Sequence, residues 1–249
     1  MTSVADVWPD TDDAIGELPA LELAGAEEII EWTYERFERV ALVASFQAES
    51  GVLIDMASRI VDELEVVTLD TGRLPEETHT IMERLRRRYP IRLRVVSPDP
   101  DELEALTAEH GTNLFRQSVD LRLRCCDVRK VRPLRRALEG YDAWITGVRR
   151  DQAHTRGGTP AVAIDHEHDG IFKVAPLAGW SRADVFQYLE QHGVPQHPLY
   201  ARGYTSIGCA PCTRATTPGE DERAGRWWWE QDQTKECGLH PLTVVREPV

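Results

Sequence analysis

Four apolar runs, three of them followed by a stretch of helical spacing, constrain this chain more than anything else in it. Val40-Ala41-Leu42-Val43-Ala44-Ser45-Phe46 is apolar almost throughout, the pattern of a strand covered on both faces. Residues 47–60 return to helical periodicity. The unit then recurs: residues 64–69 are strand-like, 75–89 helical, 91–96 strand-like and 100–110 helical, and residues 142–147 supply the fourth run. Strands alternating with helices need crossover connections, so the prediction is an α/β fold with a doubly wound, mostly parallel sheet. Two shorter strands are expected at 161–164 and 171–175. Helices are expected at 26–39, at 126–138 with a possible kink at Pro133, and at 185–192 behind a Ser181 cap.

In such a sheet, ligands bind beyond the carboxyl ends of the strands. That draws attention to Ser45-Phe46-Gln47, Leu69-Asp70-Thr71-Gly72 and Thr146-Gly147-Val148-Arg149-Arg150. The predicted organisation is an acidic N-terminal arm (1–25), a main α/β domain (26–215) and a C-terminal segment (216–249) with a short helix near 220–229. The arm is read as a floppy extension or a loosely docked helix. It lacks the basic start and apolar middle of a signal peptide, and no apolar run approaches the roughly 20 residues of a membrane span. The expectation is a cytoplasmic protein with no membrane partner. A net charge of -13 argues against a general nucleic-acid binder. Any anionic ligand must be met by local charge, which is dense between Arg116 and Arg136.

That basic stretch encloses Cys125 and Cys126, and a second pair stands at Cys209-Ala210-Pro211-Cys212. Two pairs of thiolates suit zinc or an iron-sulfur cluster. Adjacent cysteines splay apart, which favours the wider corners of a [4Fe-4S] cubane but leaves zinc open. Lys130 lies one helical turn beyond Cys126 and can couple the metal site to a bound anion. The fifth cysteine, Cys237, has no partner nearby. Its polar setting, with Arg223, Arg226, Lys235 and His240 in the same segment, suits a reactive thiolate.

With these residues in view, the chain resembles the assimilatory sulfonucleotide reductases, and most closely the iron-sulfur adenylyl-sulfate (APS) reductases. The matching stretches are Leu69-Asp70-Thr71-Gly72, Cys125-Cys126-Asp127-Val128-Arg129-Lys130-Val131-Arg132-Pro133-Leu134, Thr146-Gly147-Val148-Arg149-Arg150-Asp151-Gln152, Cys209-Ala210-Pro211-Cys212 and Glu236-Cys237-Gly238-Leu239-His240. Each is weak alone, but all five in this order are specific. The resemblance implies a sheet of the adenine nucleotide α-hydrolase type, a [4Fe-4S] cluster on Cys125, Cys126, Cys209 and Cys212, and Cys237 as nucleophile. It also implies a cysteine S-sulfonate resolved by thioredoxin, with AMP and sulfite as products. Lys130, Arg223, Arg226 and His240 are then expected to meet the phosphosulfate, with Arg149 and Arg150 as further candidates. Ser45, Phe46, Gln47, Leu69 and Asp70 should border the nucleotide. A homo-oligomer is compatible with this picture.

Two departures matter. Ser45-Phe46-Gln47-Ala48-Glu49-Ser50 lacks the glycine pair of ATP pyrophosphatases, which with the negative charge counts against a tRNA-thiolating enzyme. Ala153 follows Gln152 where many relatives carry serine, so it is given no ligand role. A reductase for the 3'-phosphorylated nucleotide PAPS remains the nearest alternative, and a non-enzymatic metal-binding regulator a more distant one.

Overall fold

The computed structural model describes residues 11–230 and 236–239. Helices α1 (Thr11–Leu21) and α2 (Ala26–Arg36) lead into β1 (Val40–Val43), α3 (Ala48–Ala57), β2 (Leu64–Leu69), α4 (Glu76–Arg88), β3 (Ile91–Val96) and α5 (Pro100–His110). There follow α6 (Val119–Cys126), α7 (Arg132–Leu138), β4 (Ala143–Thr146), β5 (Val162–Asp165), β6 (Ile171–Val174) and α8 (Arg182–Gln191). The strands form one six-stranded sheet in the order β3-β2-β1-β4-β6-β5, in which only β5 runs antiparallel.

Burial explains the composition of each element. β1 and β4 sit mid-sheet and are apolar on both faces; Ala41, Leu42, Trp144 and Ile145 are fully buried. Edge strand β3 instead interleaves Arg92 and Arg94 with its apolar residues, which discourages pairing with a further strand. Helix α3 has no polar face because all ten of its residues are buried. Helix α4 is amphipathic and carries Glu76 and Glu77 at its start and Arg86, Arg87 and Arg88 at its end, charges that suit its dipole.

Two expectations are refined and one is overturned. The described part of the N-terminal arm is helical: Ala14 and Leu21 are buried, and Glu17 binds Trp32 and Arg36 of α2. The helix expected at 126–138 is one of three consecutive segments, since α6 and α7 are joined without a break by a π turn, Asp127–Val131. Pro133 cannot donate to the carbonyl one turn back, and the wider turn just before it absorbs the lost register; the Arg132 N–H reaches Asp127 O, five residues back. The short helix at 220–229 does not form. Residues 221–229 make turns, and Arg226 pairs antiparallel with Thr213 while the Arg214 N–H donates to Gly225 O at 3.0 Å. Among the described residues no helix is long and apolar enough to cross a membrane.

Candidate active site

β1 and β4 are neighbours, yet β1 leads on to β2 on one side and β4 to β6 on the other, so a crevice opens where the winding reverses. A cleft lies there. Ser45 and Gln47 line it from the end of β1, Thr68 and Leu69 from β2, and Thr146 and Gly147 from β4. The chain enters α3 through Phe46 at φ 57, a left-handed conformation uncommon for a residue with a side chain. This turn brings the Ser45 N–H onto Ser50 Oγ at 3.0 Å and lets Gln47 Oε1 accept from the Ile207 N–H at 2.7 Å. Lys130, Arg156, Arg223, Arg226 and Cys237 close the other side of the cleft.

Next to it, Cys125 and Cys126 at the end of α6 and Cys209 and Cys212 in the loop after α8 line a second, smaller cavity. All four thiols are buried and unlinked. The end of β2 holds both sides together: Thr71 Oγ1 lies 3.2 Å from Cys209 Sγ, the Ala210 N–H donates to Arg73 O at 2.8 Å, and Arg129 donates to Thr71 O at 2.6 Å. Burial pushes the Cys126 thiol up to about 12 and Cys212 up to about 11, so these groups stay protonated unless a cation displaces their protons. Three buried nitrogens with no hydrogen-bond partner, Arg129 Nε, Arg226 Nε and Trp227 Nε1, belong to side chains lining this cavity. Buried donors are rarely left unpaired, so the cavity suits an anionic, acceptor-rich group. The four paired thiols line this cavity together.

Lys130 and Arg226 line both cavities and so stand between them. Lys130 comes from the π turn. Burial opposes its charge, but the neighbouring sulfurs of Cys209, Cys237 and Cys126 outweigh that and hold its pKa above the ordinary lysine value. Cys237 is partly buried and packs against the apolar cluster that contains the four paired cysteines. Burial pushes its thiol up, yet Lys130, the Leu239 N–H, Arg226 and Arg223 together bring it below the usual cysteine range. Gly238, at φ 85, makes the turn that presents the Leu239 N–H to the sulfur. Arg223 is driven down to about 10 by burial and by its cationic neighbours Arg156 and Arg226. Such crowded, desolvated cations favour anionic neighbours, and the Glu236 carboxylate pairs with two of them, Arg156 and Arg223. The site can therefore bind a phosphate-like group beside an activated thiolate.

A family model described as the phosphoadenosine phosphosulfate reductase domain matches residues 39–215, from the residue before β1 to just beyond Cys212. The chain belongs to this family. The adenosine 5'-phosphosulfate reductase of Burkholderia cepacia is 47% identical over 214 residues, covering 86% of this chain and 85% of that protein. The enzyme of the same description from Allochromatium vinosum is 45% identical over 223 residues, covering 90% and 86%. Among solved structures, the phosphoadenylyl-sulfate reductase of Candida auris, in a phosphate complex, superposes with a TM-score of 0.68 at 27% identity, covering 80% of this chain and 95% of that one. Candida glabrata FMN adenylyltransferase with ATP has a TM-score of 0.56 at 15% identity, covering 92% and 78%, and shares the fold alone.

Several residues expected at the family's nucleotide site lie elsewhere. Phe46 is 1% exposed and packs into the core; its backbone shapes the turn, but its ring does not line the cleft. The Asp70 carboxylate accepts from the Gly72 N–H at 2.9 Å and braces the turn after β2. Arg149 points inward with no exposed side-chain surface and pairs with Glu49, Asp151 and Glu222. Arg150 turns to the N-terminal arm, donating to Glu22 and to Thr159 O. His240 falls outside the described residues, as does Lys235. Arg223 and Arg226 do reach the cleft, from turns rather than a helix. The sequence reading missed Arg156, which no motif marks, and gave no role to Thr71 or Arg129, although both lie within matching stretches.

Proposed function

We propose that this protein reduces adenylyl sulfate to sulfite and AMP in sulfate assimilation, with Cys237 as nucleophile and thioredoxin as electron donor. The observation that carries the reading is a thiol held below its ordinary pKa beside Lys130, Arg223 and Arg226, in the cleft at the carboxyl ends of the strands. The adenosine fits between the ends of β1 and β2, and the phosphosulfate lies among the cations. The Cys237 thiolate attacks the sulfate sulfur; the new S–S bond forms as the bond to the bridging oxygen breaks, and AMP leaves with that electron pair. Because phosphate is a good leaving group, the chain needs a thiolate and preorganised positive charge rather than a general acid. One thiolate of reduced thioredoxin then attacks Cys237 Sγ and displaces sulfite, and its second thiol resolves the mixed disulfide. Thioredoxin ends as a disulfide and Cys237 as a thiol.

Cys125, Cys126, Cys209 and Cys212 would hold a [4Fe-4S] cluster: four buried thiols lining a cavity beside unpaired donors fit an anionic, acceptor-rich group. When bound, such a cluster would supply negative charge and acceptor sulfurs next to Lys130. Protein purified without oxygen should contain about four irons and four acid-labile sulfides per chain; stoichiometric zinc without sulfide would exclude it.

The deciding experiment is APS-dependent sulfite release with reduced thioredoxin. Cys237→Ser should abolish it while AMP still binds, and an active Cys237→Ser enzyme would disprove the mechanism. The likeness to the Candida auris enzyme favours PAPS as the second reading. Comparing turnover of the two nucleotides separates them, since a marked preference for PAPS excludes APS as the physiological substrate.

A further inference from the structure

The residue before the nucleophile is tied to the cations of the cleft. The Glu236 carboxylate accepts from Arg156 Nε and Nη2 at 2.9 Å each, from Arg223 Nη2 at 3.2 Å and from Thr155 Oγ1 at 3.2 Å. Its carbonyl oxygen accepts from Arg122, which is itself paired through two 3.0 Å bonds with Glu230. Arg156 and Arg223 line the cleft and Glu236 does not. Gln152 takes a further Arg156 donor through its Oε1, so this guanidinium is fixed on two sides. A bidentate pair of this kind fixes direction as well as distance.

We infer that Glu236 is the positioning residue of the nucleophile: its carboxylate latches the tail onto Arg156 and Arg223, seating Cys237 beside Lys130 only where that pair of guanidiniums is assembled. Glu236 and Arg156 are 80 residues apart in sequence, so only folding brings this pair together. The backbone of Cys237 follows the anchored carboxylate directly, so a rotation at residue 236 carries the sulfur away from Lys130. The alternative role for such a carboxylate is to compete with the nucleotide's own phosphate for the same donors. The two roles predict opposite behaviour when the charge is removed.

The inference rests on the reading that Cys237 attacks APS, and the test separates the two. Glu236→Gln and Glu236→Ala are compared with the wild type, in the full-length protein loaded with its metal, for single-turnover S-sulfonation of Cys237 by APS (mass of the Cys237 peptide) and for AMP binding. Seating of the nucleophile predicts that sulfonation slows by at least about tenfold while AMP affinity changes by less than about threefold, the signature of a group that acts in the transition state rather than in ground-state binding. Sulfonation slowed by less than that overturns the inference, as does a loss of AMP affinity equal to the loss of rate. AMP binding about tenfold tighter or more, with sulfonation undiminished, assigns Glu236 to competition instead. If the wild-type chain forms no S-sulfonate with APS, the proposed reaction fails and the inference falls with it. Retained AMP binding also shows that each variant is folded.

Discussion

Lys130 is the residue on which the two cavities turn. Among the charges that pull the Cys237 thiol down it comes first, and it lines the cysteine-ringed space as well. The thiolate is the reactive form, so a depressed pKa extends the reactive fraction to lower pH, and that fraction is lost as pH falls through the depressed value. Lys130→Met removes the charge that most opposes burial at Cys237. The midpoint of Cys237 alkylation, followed on its own peptide as pH is varied, should move upward, and S-sulfonation near neutral pH should slow roughly 10- to 100-fold, as expected for one charge-assisted contact. A midpoint that stays where it was would remove Lys130 from the activation of Cys237. The sequence made this lysine legible because it follows Cys126 by one turn of helix, a local relation. Arg149 and Arg156 carried no such mark. Both are arginines in the same loop region beyond β4; one is completely buried on Glu49 and the other lines the cleft. Only the carboxylates waiting at each place distinguish them.

At the scale of elements, the site depends on loops that have been forced close. Gly208 precedes the Cys209-Ala210-Pro211-Cys212 turn, and a Cβ built on it would lie 2.3 Å from Arg226 Nη2. A methyl group there must push aside the guanidinium that separates the two cavities. Gly208→Ala and Arg226→Ala should therefore share one defect, each slowing Cys237 sulfonation by roughly 10- to 100-fold. Their effects should not add in the double variant, since residues acting through one contact couple. Additive losses would mean that Gly208 acts elsewhere. The π turn is the second such device. Pro133 was visible as a disturbance in a helical pattern, but whether the chain would kink or widen was decided by what packed around it: Arg129 reaching Thr71, and Lys130 reaching the cleft. The helix expected at 220–229 failed for a related reason. Its spacing was helical, but pairing with residues 213 and 214 satisfied its backbone first.

Across the whole molecule, a buried ion network ties the sheet to the C-terminal segment. Arg149 at the end of β4 joins Glu49 of α3 to Glu222, the neighbour of Arg223, and Arg182 at the start of α8 reaches Glu222 at 3.4 Å. Burial raises the pKa of Glu222 while Arg149 opposes it, so this carboxylate relies on its partner. Arg149→Ala leaves Glu49 buried without its ion-pair partner and Glu222 with Arg182 alone, and should cost roughly 3–5 kcal/mol in denaturant unfolding; a loss well under 1 kcal/mol would show that the network relaxes onto water. Arg149 thus acts at the level of the fold rather than on the nucleotide. The sequence by itself determined the doubly wound sheet, because runs buried on both faces and joined by helices have few other solutions, and it placed the cleft at the ends of β1, β2 and β4. It also separated Cys237 from the paired cysteines, since spacing is a property of the chain. Tertiary structure alone decided which arginines face the cleft and that Glu236 meets Arg156 from 80 residues away. Each ion pair of that kind is a choice among partners brought together by folding, and its energy depends on burial that no local pattern encodes.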